Sequence, residues 1–183
     1  MGYDKVHDFY RHGAEYIASA DMSCLLHMNH GTFMYHMIIR KRIASVFAHL
    51  SKGDYEYALS GIGTTIEHHF AGNHCLGGRR TSVGAMRLWF ERVFRLFLNL
   101  QFEIHSMVIS GYPWDATAVA QWTDRATPID GKYYVDSGVH VIRLRWGKAV
   151  SIHAYLDTQV LIETFNRMAA NGIEEAKAPP IIG

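Results

Sequence analysis

Between Ser82 and Tyr155 the hydrophobic period of the chain changes once, and that change restricts the fold more than any other feature. From Ser82 onward Met86, Trp89, Phe90, Val93, Phe94, Phe97 and Leu100 recur three and four apart, the stripe of an amphipathic helix over residues 82–100. Thr81 or Ser82 stands where a side-chain cap is needed. After Leu100 the spacing becomes two. Alternation predicts strands over 102–110, 117–126, 133–146 and 149–155, broken by GYPWD, TPIDGK and WGK, all of them turn chemistry.

Before this helix the pattern predicts a strand over 64–70 and a loop over 71–80. Earlier still, Tyr35, Ile39, Ile43, Val46, Phe47 and Leu50 form another helical stripe, stopped at SKGD, where Gly53 can take a left-handed cap. DYEYALS reads as a short helix. Val6, Phe9, Tyr10, Gly13 and Ile17 predict a helix over 4–20, and a closing helix runs over 158–171 to Gly172. The tail IEEAKAPPIIG reads as loose. Helices followed by hairpin-linked strands make an α+β domain, with a long helix laid on a curved antiparallel sheet that encloses an apolar pocket. The division is a helical extension over 1–32, one domain over 33–171 and a tail over 172–183.

Composition excludes several classes of function. With 49% hydrophobic and 19% charged residues in 183, the chain can bury an ordinary core. A net charge of +1 gives no field suited to nucleic acid or an anionic membrane. Cys24 and Cys75 lie far apart in no metal-ligand spacing, which suits two reduced, half-buried thiols. No apolar run approaches the roughly 18 residues of a membrane span, and the N-terminus lacks a signal-like apolar core. The expectation is a cytoplasmic protein with no cofactor and no nucleic-acid or membrane partner.

Strand alternation sorts the candidate site. Around Asp130-Gly131, one face carries Ala118, Ala120, Trp122 and Asp124 opposite Tyr134, Asp136, Gly138, His140 and Ile142. Small residues leave room there, Trp122 and Tyr134 would wall it, and Asp124 and Asp136 fall near its open end, suited to a solvated rim. The opposite face, with Val119, Gln121, Val135, Val139 and Val141, suits a homodimer contact. In TTIEHHFAGNHCLGG the same alternation turns Ile66, His68 and Phe70 inward and Glu67 and His69 outward, with His74 in the loop. Adjacent histidines on a strand diverge, so this stretch is not read as a metal site. His68 is either a satisfied half-buried residue or a pocket group. Trp89 and Leu156 complete the expected pocket lining, and Asp157, in YLDTQ, reads first as a helix cap and second as a base.

The order of these elements, with AHLSKGD, TTIEHHFAGNHCLGG, VISGYPW and GVHVIRLRWGKAVSIHAYLD, resembles the SnoaL-like polyketide cyclases and ketosteroid isomerases of the superfamily named for nuclear transport factor two. The resemblance covers residues 33–171. It implies a cone, a curved sheet around a long helix with an open apolar pocket, commonly dimeric. It places His68 where the isomerases carry their proton-shuttling carboxylate and His140 where they carry a protonated aspartic acid. The isomerase tyrosine falls at Val46, and the acidic residue of the related limonene epoxide hydrolases falls near Ala154. The resemblance therefore implies a small apolar ligand and, as one reading, acid/base chemistry beside a carbonyl, with His68 as base and His140 as oxyanion partner. The other reading is a non-catalytic ligand-binding or assembly subunit of the same fold.

Overall fold

A computed structural model describes residues 31–183; the helix expected over 4–20, Cys24 and most of the N-terminal extension lie outside them. The described part opens with helix α1, residues 31–50, then α2 (Tyr55–Ser60), β1 (Ile62–Phe70), β2 (Gly78–Arg80) and α3 (Val83–Leu96). Four strands follow, β3 (Phe97–Tyr112), β4 (Asp115–Pro128), β5 (Tyr134–Arg145) and β6 (Lys148–Leu156), and then α4 (Thr158–Ala170) and a 3-10 turn, Glu174–Lys177. The strands form one sheet in the order β2-β1-β6-β5-β4-β3. The pairings follow the expected antiparallel pattern except between β1 and β6, which run parallel and are joined through helix α3 and four intervening strands.

Two register shifts in the β3–β4 pair, one in β5–β6 and one in β1–β6 insert extra residues on one strand, which bends strands and deepens the curl of the sheet. Side chains of the inner face are buried along nearly every strand, as the alternation of β4 shows, with Ala116, Ala118, Ala120, Trp122, Asp124 and Ala126 in and their neighbours out. α1 lies on this face through Ile39, Ile43 and Phe47, packed with Ala118, Ala120, Trp122 and Ile142. α3 presents Met86, Trp89, Phe90 and Val93 to a second cluster that holds Phe70, Leu161 and Phe165.

Three sequence expectations change. The long helix stops at Leu96 rather than Leu100: its last carbonyl accepts the Ile129 N–H at 2.9 Å, and Asn99 takes a positive φ of 53°. Phe97 and Leu100 stay buried, but from a strand. The loop after β1 contains the three-residue strand β2, too short to show a period. The tail is docked and not loose: Arg92 donates to Pro179 O at 2.8 Å, Arg95 forms a forked pair with Glu175, and Thr81 N bonds to Gly183 O.

Candidate functional site

Between the inner sheet face, α1 and α3 lies a cavity of about 160 Å³. Arg42, Gly61, Ile62, Gly147 and Ala149 stand together in its lining and keep some exposure, joined where Ile62 pairs with Ala149 and Arg42 donates to Gly147 O. Phe97, Leu100 and Tyr134 are buried in its wall, with Phe97 edge-on to both Tyr134 and Phe165. Most of the wall is aliphatic or aromatic. The polar groups along it are therefore the informative ones.

His68, on β1, is 2% exposed and lies edge-on to Trp89. Its register partner across β1–β2 is Arg80, whose Nε–H donates to Nδ1 of His68 at 3.0 Å. Guanidinium has no lone pair to offer, so Nδ1 is the acceptor and the ring's single proton sits on Nε2. Burial first, and the Arg80 charge second, hold its pKa well below the usual imidazole value, so the ring is neutral.

His140 is held in the same way from the other side. Trp122 Nε1 donates to His140 Nδ1 at 2.6 Å. The indole reaches this position because its cross-strand partner is Gly138: a Cβ there would stand 2.7 Å from the Trp122 ring and 2.6 Å from Tyr155 O. The ring of His140 keeps some accessible surface, yet it is packed closely enough that burial pushes its pKa down to about 4. Indole N–H is also an obligate donor, so His140 too carries its proton on Nε2. Two neutral imidazoles with their Nδ1 lone pairs already engaged can donate, but neither can abstract a proton. The base role implied for His68 does not fit this geometry.

Among the described residues, the one carboxyl in the wall is that of Asp124. It is 7% exposed, and its buried Oδ1 has no hydrogen-bond partner. Burial, with the neighbouring Asp136 carboxylate second, pushes its pKa up to about 8. Asp124 is therefore buried in the cavity wall and not on a solvated rim. Asp136, its register partner on the same face, does not line the cavity: it accepts from Tyr134 OH at 3.1 Å, Ser137 N at 2.6 Å and Asp157 N at 3.3 Å, pinning β5 to the start of α4. Burial raises its pKa as well.

The remaining candidates divide. Phe70, Trp89, Trp122, Tyr134, Ile142 and Leu156 stand in the wall with His68, His140 and Asp124. Ile66, Ala120, Asp136 and Gly138 do not reach it. Ile66 is packed in the core with Leu59 and Met86, and Ala120 is covered by α1, whose apolar stripe fills the room that the small residues leave. Gly138 acts instead by seating Trp122. His69 lies on the outer face, its ring 5.4 Å from that of His153. Asp157 caps α4 by accepting from Gln159 N at 3.0 Å. His74 pins its own loop through Ala71 O and Leu76 N. Cys75 is buried, and burial pushes its thiol up to about 11. Arg80 escaped the sequence reading, because it sits on a strand of three residues whose pairing with His68 has no local signature.

The sequence model of the SnoaL-like domain family matches residues 43–152. A search of curated proteins by sequence returns no match. Among solved structures, the fold is similar to an NTF2-like protein of unknown function from Burkholderia pseudomallei (18% identity, 69% of this chain and 95% of that one, TM-score 0.63). It is similar to PrhC from Penicillium brasilianum (17% identity, 76% and 91%, TM-score 0.65). It is also similar to TerC crystallised with polyporic acid (20% identity, 69% and 96%, TM-score 0.60).

Proposed function

The chain belongs to the SnoaL-like domain family, and on that premise we propose that its cavity binds a small, mostly apolar carbonyl compound and moves a proton on it, in an isomerisation, dehydration or cyclisation. One observation carries the reading: an apolar cavity holds a single carboxyl poised near neutral pH, Asp124, together with two imidazoles fixed as N–H donors. A group with a pKa near the working pH is the effective kind of acid/base catalyst. Preorganised N–H donors in a dry site stabilise the charge that gathers on a carbonyl oxygen when a C–H conjugated with it is ionised. In this account Asp124 takes and returns the proton, and His68 and His140 receive the oxygen through Nε2–H.

Strand spacing refines the substrate. Asp124 pairs with Asp136, and His140 lies four residues further along β5, so their backbones stand about 13 Å apart along the strand. Oxygen and labile C–H are thus several bonds apart, as in a conjugated ring system. The cavity volume suits about one or two rings, since an engineered cavity of about 150 Å³ accepts benzene. TerC, of similar fold, was crystallised with polyporic acid, which lends support to an organic ligand in such a cone.

Hydrogen–deuterium exchange into cyclohex-2-enone in D₂O, followed by NMR, tests the reading with a probe of the right size. The protein should accelerate exchange at the ring positions conjugated with the carbonyl, and Asp124→Asn should lower that acceleration by about 10²–10⁴-fold, the usual loss for a general base. Binding without any exchange would favour the non-catalytic alternative. The outer sheet face supports a second element of the proposal, a homodimer: Val108, Val119 and Val135 are exposed there, on β3, β4 and β5.

A further inference from the structure

Arg80 is fully buried, and among the described residues no carboxylate pairs with it. Its guanidinium is held by carbonyl oxygens: Nη1 donates to Gly77 O at 3.1 Å and Ile181 O at 2.9 Å, with Leu76 O at 3.4 Å, and Nη2 donates to Gly78 O at 2.6 Å. It also lies over the Trp89 ring, 5.3 Å from the centroid. The one side chain that it hydrogen-bonds is His68. Burying a cation without a counter-ion costs several kcal/mol, and an apolar residue of similar volume would fill the space at lower cost. What an apolar residue cannot supply is a fixed N–H at Nδ1 of His68.

The carbonyl cage is assembled from two segments distant in sequence. Residues 76–78 supply three oxygens, and Ile181 supplies a fourth from across 101 positions. The segment carrying Ile181 is fastened on both sides of it, by Arg92 at Pro179 O and by the backbone bond between Thr81 and Gly183. We propose that Arg80 is a positioning residue, held in place by residues 179–183, that fixes His68 with Nε2–H turned to the cavity. The C-terminal segment is then a working part of the site, although it touches no ligand. The inference rests on the proposed reading of His68 as a donor.

Imidazole ¹⁵N chemical shifts report the tautomer directly and need no substrate. The intact protein should give the Nε2–H pattern for both His68 and His140 at pH 7.5. Deleting residues 181–183, and separately Arg80→Met, should each convert the His68 signals to those of a tautomer mixture while His140, held by Trp122, keeps its pattern. An unchanged His68 pattern in either folded variant would overturn the positioning role and leave the donor reading intact. A His68 Nδ1–H pattern in the intact protein would overturn both. The deletion keeps the test decisive should Arg80→Met fail to fold, since it leaves the guanidinium in the chain.

Discussion

Asp124 and the two cavity histidines pull stability in opposite directions with pH, and the sign of each effect separates their roles. The folded pKa of Asp124, about 8, lies above its unfolded value of about 4, so the folded chain holds a proton that the unfolded chain has lost. Between those values stability falls as pH rises, by about 1.4 kcal/mol per pH unit for one proton. Asp124→Asn should therefore be more stable than the wild type at pH 8, with the gain shrinking towards pH 4, in urea melts across that range. A residue whose loss stabilises the fold while abolishing proton exchange is the mark of a functional group. His68 and His140 have depressed folded values, His140 to about 4, so they contribute stability above about pH 6.5 that is lost as pH falls towards 4. His140→Gln should flatten that acid limb. Strand alternation was enough to place both histidines on the inner face. It could not say that their Nδ1 atoms are engaged, because Arg80 and Trp122 approach from other strands.

At the scale of elements, the β4–β5 hairpin was readable because a two-residue period and a Pro-Ile-Asp-Gly turn fix its register; Asp124, Trp122 and Ala120 face Asp136, Gly138 and His140 as the alternation requires. Its depth in the molecule was not readable, since a strand's period says which face a residue is on and not which end is covered. The burial around Asp124 comes from packing between elements, with Phe97, Leu100 and Tyr134 in the same wall. The pairing gives a sharp test. Gly138→Ala should force Trp122 off its seat, costing about 1–3 kcal/mol by overpacking and freeing Nδ1 of His140. Thermal melts would show the loss, and the His140 ¹⁵N pattern would lose its Nε2–H form; a variant with wild-type melting and pattern would refute the role given to Gly138. The end of α3 teaches the complementary lesson. Phe97 and Leu100 extend a helical stripe in sequence, but Leu96 O is taken by Ile129 N and the chain continues directly as β3, where the positive φ of Asn99 falls at a register shift between Leu98 and Gln101.

Over the whole molecule, the fold class followed from the single change of hydrophobic period, whereas the parallel β1–β6 contact and the docked tail depend on packing between distant segments. Among the described residues no helix is long and apolar enough to cross a membrane. The proposed dimer predicts that Val119→Lys, a charge set into the outer face, converts a dimer to a monomer in light scattering without lowering the melting temperature; a wild-type chain that is monomeric at micromolar concentration would contradict it. The proposed function turns on the buried carboxyl of Asp124, whose Oδ1 has no hydrogen-bond partner and whose pKa is pushed up to about 8 in the same cavity as two imidazoles held as donors. The most direct measurement is a ¹³C NMR titration of the Asp124 carboxyl carbon in the intact protein. A midpoint near 8, unaffected in a His69→Ala control, is expected; a midpoint near 4, the value of an ordinary solvated aspartate, would contradict the role given to Asp124.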